Sequence, residues 1–246
     1  MTSKKFAPGV LVEWSIFGIP IHVDASWLVV AAFVTWSLSR GYFPEGYPGF
    51  HPAVYWAMGG SAALLLFASV LLHELGHSLA AKGYGIPVTR VVLFIFGGVA
   101  QIARDPRRPM IELAVALAGP LVSVLIASAC LWVSSAVPIT GILSFATAAI
   151  AHYLAALNTW VLLFNLLPGF PLDGGRILRA LLWAWTGSFR KATRLASLSG
   201  LALGIGLMGL GVWVIIKQNW VTGLWYLYLG SFLRRTAQMS YRQAAS

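Results

Sequence analysis

Between positions 54 and 72 the chain runs VYWAMGGSAALLLFASVLL, nineteen residues without an Asp, Glu, Lys, Arg or His. A helix of about that length matches the hydrocarbon thickness of a bilayer, roughly 30 Å, and needs apolar surroundings on every side. Five comparable stretches accompany it. The six lie at about 25–39, 53–83, 110–136, 141–167, 195–217 and 220–235, the first and last being short for a full span. At 59% hydrophobic and 10% charged residues, with a mean hydropathy of +0.79, the 246-residue chain lies outside the soluble range. The expected fold class is an α-helical polytopic membrane protein. It has about six transmembrane helices and forms a single membrane-embedded domain over 1–246.

A formal charge of +10 could point to nucleic acid, but the placement of the charge argues otherwise. When the loops are assigned alternately to the two sides of a membrane, 15 of the 17 Lys and Arg residues fall on one side. Only Arg40 and Lys217 fall on the other. This is the positive-inside pattern, so a multi-pass protein of the cell membrane with both termini cytoplasmic is expected. The basic side then meets anionic lipid headgroups, and no nucleic-acid partner is needed. The lone Cys130 excludes an internal disulfide. No cleavable signal peptide is evident, because Lys4 and Lys5 precede an alternating segment and not a continuous apolar run.

That segment, residues 10–23, sets Val12, Trp14 and Ile16 against Glu13 and Ser15, and after Phe17-Gly18 sets Ile19, Ile21 and Val23 against Pro20 and His22. It predicts a β-hairpin. A second hairpin is expected over 88–104, VTRVVLFIF then VAQIAR about a Gly97-Gly98 turn, with its first strand buried on both faces. Both fall on the cytoplasmic side and can join one small sheet. Strand backbone at membrane depth must line a protein cavity, so an enclosed aqueous site is implied. The loop 40–52, with Tyr42, Phe43, Tyr47 and Phe50, reads as an outer interfacial aromatic belt, and His51 as a plain loop residue.

Directly after the apolar run stands His73-Glu74-Leu75-Gly76-His77. Positions i and i+4 of a helix share one face roughly 6 Å apart along the axis, so both imidazoles can reach one tetrahedral metal. Glu74 can point into the same cleft and take a proton from water. A catalytic zinc site needs a third protein ligand. The candidates are His22, His51 and His152, and the carboxylates Glu13, Asp24, Glu45, Asp105, Glu112 and Asp173. Asp173 has the best context, because Pro168 and Pro171 end the fourth apolar helix and irregular backbone delivers the carboxylate at its cytoplasmic end.

HELGH at 73–77, FGG at 96–98, AGP at 118–120 and NLLPGFPLDGGR at 165–176, in this order across six segments, resemble the site-2 protease family of intramembrane zinc metalloproteases. The resemblance covers nearly the whole chain. It implies one zinc per chain held by His73, His77 and Asp173, with Glu74 as general base and Asn165 holding substrate or stabilising the oxyanion. It implies as partners a transmembrane protein substrate and membrane lipids, with a regulatory membrane protein as a further partner and the oligomeric state left open. Asp24 stands where relatives often carry histidine, so no role is carried over there. No PDZ-like insertion interrupts the chain. Nothing follows residue 246, although one family branch continues from a similar SYRQ segment into paired nucleotide-binding modules. A naturally minimal chain and one cut short before such modules both fit.

Plainer roles compete at several positions. Asp173 can cap the helix GGRILRALLWAW without forfeiting metal ligation. Asn158, seven residues before Asn165, divides evenly between an auxiliary site role and interhelical bonding. His152 reads as a packing or hydrogen-bonding histidine, Glu112 as a helix-dipole partner and Asp24 as an N-cap. Gly200, Gly204, Gly206, Gly209 and Gly211 read as close helix packing. An unwound substrate segment needs strand partners, so the 88–104 hairpin near Phe96, Gly97 and Gly98 is expected to bind it by β-augmentation. A di-iron oxygenase needs about eight clustered histidines and this chain has five. A transporter or scaffold with an ion site remains as the alternative, and it requires no chemistry of Glu74.

Overall fold

The computed structural model describes residues 10–94 and 97–245. Strands β1 (Val10–Ile16) and β2 (Ile19–Asp24) form the expected antiparallel hairpin. Phe17 (φ 51°) and Gly18 (φ 72°) supply the two left-handed residues that a tight hairpin turn requires. β3 (Val88–Phe94) lies parallel to β2, Ile21 against Val91, and β4 (Gly97–Ile102) pairs antiparallel with β3. The two hairpins therefore make one sheet of order β1-β2-β3-β4. One expectation is corrected here. Phe94 pairs with Gly97 and Leu93 with Gly98, so these glycines belong to β4 and not to the turn.

Helix α1 (Ser26–Ser37) continues into a five-residue π-helical segment (Leu38–Tyr42) and the short α2 (Phe43–Gly46). The long α3 (Pro52–Gly83) follows, with Pro at its first position and His51 as its cap, the imidazole accepting from the Ala53 N–H at 3.2 Å. His51 is thus more than a loop residue. The aromatic loop also differs from expectation. Phe43 is fully buried with Leu38, Tyr55 and Met58, so part of the anticipated interfacial belt is core.

The chain forms two compact units. The first comprises the described residues up to Arg104 together with Leu121–Leu162, and the second comprises Asp105–Pro120 and the described residues from Leu163 onward. Helices α4 (Pro109–Ala136) and α5 (Ile142–Asn165) run through both. In the first unit the sheet lies on α3, where Ile19, Ile21 and Val91 bury Leu75 and cover Leu71. The second unit adds α6 (Asp173–Thr186), α7 (Phe189–Ile216) and α8 (Trp220–Ala245). α7 and α8 approach closely: a methyl on Gly204 would strike the backbone at Gly230 and Arg234, and one on Gly211 the backbone at Gly223 and Leu227. Gly200 is likewise packed against Phe170, whereas Gly206 and Gly209 face open space, which corrects the reading of those two.

Among the described residues, four helices (α3, α4, α5 and α7) are long and apolar enough to cross a membrane. α1 alone has 12 residues, and α8 carries Arg234, Arg235 and Arg242. The protein is mostly helical with four candidate spans and a small sheet, and length and composition do not by themselves reach six.

Candidate metal centre

The last third of α3 carries HELGH as regular helix, so consecutive residues point in different directions and take different partners. His73 and His77 share a face and are buried, at 4% and 3% exposure. Their Nε2 atoms lie 3.3 Å apart. Two nitrogens bound to one tetrahedral zinc at about 2.0–2.1 Å are separated by about 3.3 Å, so the pair fits one metal without rearrangement. His73 Nδ1 lies 2.9 Å from Oγ of Ser123, a fully buried residue of α4. With Nδ1–H donating to that hydroxyl, Nε2 keeps its lone pair for a metal.

Leu75 points the other way, into the apolar contact with the sheet. Glu74, half-buried between these faces, reaches β4, where its Oε2 accepts the Ala100 N–H at 3.0 Å. Asn158 of α5 donates to Ser69 Oγ at 3.3 Å and to its own helix at Leu154 O at 2.9 Å. Ser69 is one turn before His73, so Asn158 braces α5 against α3. Of its two readings the geometry supports interhelical bonding.

The second unit holds Asn165, the last residue of α5, and Asp173, the first residue of α6, both half-buried. The segment between them folds tightly onto α6. A methyl on Gly174 would collide with the Leu166 and Leu167 carbonyls, and one on Gly175 with the Gly169–Phe170 backbone. The Phe170-Pro171 peptide is cis. The cap position of α6 is Leu172 and Asp173 sits inside the first turn, so the capping role expected for Asp173 is not the one seen.

Behind this loop, Arg179 of α6 is sandwiched between the rings of Phe170 and Phe189, 5.0 and 4.6 Å from their centroids. Its Nε donates to Glu112 Oε1 at 2.6 Å, Nη2 contacts the same oxygen, and Asp105 lies 3.6 Å away. Glu112 is completely buried. It does occupy the first turn of α4, but as half of a buried ion pair and not merely as a dipole partner. Neither Ser123 nor Arg179 was singled out from the sequence. The available signals were a hydroxyl three residues after AGP and a second arginine on the helix of LDGGR.

The remaining candidates serve elsewhere. His22 lies 3.4 Å from Glu13 across the first hairpin, and His152 is exposed. Asp24 accepts the Ser26 N–H at 2.9 Å, while Ala25 occupies the cap position it was expected to fill. Hydrogen bonds from Ser26, side chain and backbone, hold the Asp24 carboxyl below its ordinary range. Phe96 lies outside the described residues.

Comparison with known proteins agrees with this arrangement of motifs. The chain is 38% identical over 230 residues to sll0528 of Synechocystis sp., covering 94% of this chain and 59% of that protein. It is 34% identical over 224 residues to Rip3 of Mycobacterium tuberculosis, covering 91% and 56% respectively. Both are named provisionally as zinc metalloproteases. The chain thus spans less than two thirds of the length of these curated relatives. Among solved structures, the site-2 protease from Methanocaldococcus jannaschii superposes with a TM-score of 0.56 at 29% identity, with 94% of each chain covered. A family model matches residues 61–145 and 139–207, the part of the chain that carries HELGH, AGP and LDGG, and by that match the chain belongs to Peptidase family M50.

Proposed function

We propose that this chain is the membrane-embedded catalytic domain of a zinc metalloendopeptidase that cuts other proteins within or beside their membrane-spanning segments. The observation that carries this reading is the buried His73–His77 pair, whose Nε2 atoms stand at the spacing of two ligands on one tetrahedral ion, with Ser123 fixing one ring. Asp173 completes the set as third ligand, one zinc per chain. The family match covers residues of both compact units, which supports treating 1–246 as one domain.

Zinc bound there supplies Lewis acidity toward a scissile carbonyl and acidifies water. Glu74 accepts the water proton and delivers it to the leaving amine. The Asn165 amide donates to the carbonyl oxygen as negative charge grows on it. A substrate helix must unwind before attack, and its freed backbone groups need partners in an apolar surrounding. β3 is flanked by β2 and β4, so within the second hairpin β4 supplies the edge for an added strand. Gly97 and Gly98 lie at the start of that edge.

The same reading assigns six spans. The helical backbone of α1 continues through the π-helical segment to Tyr42, about 25 Å in all, and α8 is apolar for most of the stretch before Arg234. Both termini are then cytoplasmic, and the partners are a transmembrane substrate, membrane lipids and a regulatory membrane protein.

Glu74→Gln keeps shape and removes the base. In purified protein it is expected to retain about one zinc per chain while cleavage falls by at least about 100-fold. His73→Ala, His77→Ala and Asp173→Ala each lower metal content, and Asn165→Ala slows turnover with zinc retained. An ion-binding scaffold would keep its activity in Glu74→Gln. Unchanged zinc in Asp173→Ala would remove that residue from the ligand set.

A further inference from the structure

The one carboxylate on α3 that the proposed chemistry needs free of a metal lies against β4, and two independent features of that strand shape the place where it rests. The first is a donor. The Ala100 N–H donates to Glu74 Oε2 at 3.0 Å, so at Ala100 the strand offers its amide to α3. The second is space. A methyl group on Gly98 would collide with Glu74 Cγ and stand 3.2 Å from Cδ and 3.3 Å from Oε1.

Gly98 is not demanded by backbone conformation. Its neighbour Gly97 has φ 117°, where side chains are rarely accommodated, but Gly98 is not among the positive-φ residues. Glycine at 98 therefore answers to the side chain packed across it. Positions 98 and 100 are two apart on a strand, so they present the same face, and Ala100 packs against the cluster of Ile19, Ile21, Leu75 and Val91. Bare backbone at 98 and an amide at 100 together form a seat fitted to one glutamate.

We propose that Gly98 and the Ala100 N–H position the Glu74 carboxylate for catalysis, which makes the second hairpin a support for the base as well as an edge for substrate. Glutamate has three rotatable bonds, and an unsupported one would sample many arrangements. One oxygen held by a backbone amide and the chain pressed over a glycine leave few. The inference rests on Glu74 being the proton acceptor, and it assigns Gly98 a task separate from substrate contact.

The test uses the full chain in detergent and a dye-quenched peptide bearing a leucine-rich membrane-spanning helix broken by a central Gly-Pro, chosen as cleaved by the unaltered protein. For Gly98→Ala the expected result is a kcat lowered on the order of 10- to 100-fold, the loss typical of a reacting group displaced by about 1 Å. KM stays within about twofold, with zinc content and melting temperature kept. A raised KM with kcat kept would make Gly98 a substrate contact and overturn the proposal, as would no change at all. Should Gly98→Ala lose zinc or fold poorly, lactic acid in place of Ala100 exchanges the N–H for an ester oxygen and keeps the side chain. The same selective loss of kcat is expected, and an unchanged kcat overturns the proposal. Glu74→Gln, measured in parallel, separates the two ideas: if it still cleaves, the assignment of the base is wrong, whereas a dead Glu74→Gln beside a fully active Gly98→Ala removes the seat alone.

Discussion

Ser123 illustrates how much an imidazole proposed to bind a metal owes to its other nitrogen. The hydroxyl is completely buried, so its hydrogen bond to His73 meets no competition from water and holds the ring in one orientation. Ser123→Ala should weaken zinc binding by about 10- to 100-fold, measured by competition with a chelator, while the helices remain intact. Equal affinity would show that packing alone orients His73. This residue was not legible in the sequence for a definite reason. HELGH declares itself through i, i+4 spacing inside one helix, but its partner lies fifty residues away on α4, and only tertiary packing brings the two together. Asn158 was half legible on the same account: its polarity in an apolar helix called for a partner without naming Ser69.

Elements that close locally were readable, and those that depend on distant packing were not. The first hairpin follows from alternation and from Phe17-Gly18. The turn expected for the second falls inside β4, because glycines that usually bend a chain are here needed for φ at Gly97 and for room at Gly98. Helix α6 shows the same division. LDGGR announces a tight loop and a helix start, but not the buried Glu112–Arg179 pair on which Phe170 of that loop rests. Breaking that pair leaves a guanidinium without its partner in an apolar site. Glu112→Ala should therefore destabilise the second unit by about 3–5 kcal/mol, whereas replacing both members with apolar residues of similar volume should cost less. Thermal melting of the single and double variants decides it. A single variant as stable as the unaltered protein would mean that the two aromatic rings and Asp105 hold Arg179 without Glu112.

For the whole molecule, the decisive quantity is the number of crossings, because it sets which side of the membrane the metal centre and the sheet face. Four helices qualify by length and composition, and an even number leaves both termini on one side whether α1 and α8 are included or not. Charge discriminates where parity cannot. If α1 and α8 cross, 15 of the 17 basic residues collect on one side. If they do not, the basic residues preceding α3 and those on α8 are assigned without that bias. The chain has a single cysteine, so Cys130→Ser supplies a background in which one introduced thiol reports its side. Exposed Ser15 and Glu45 flank α1, and exposed Asn219 and Met239 flank most of α8. Cysteines at 45 and 219 should react with a membrane-impermeant maleimide added to intact cells, and those at 15 and 239 only after permeabilisation. Labelling of 15 and 45 from the same side would mean that α1 does not cross, and labelling of 219 and 239 from the same side would mean the same for α8. Either result would place a helix along the membrane surface and reduce the six-span reading by one.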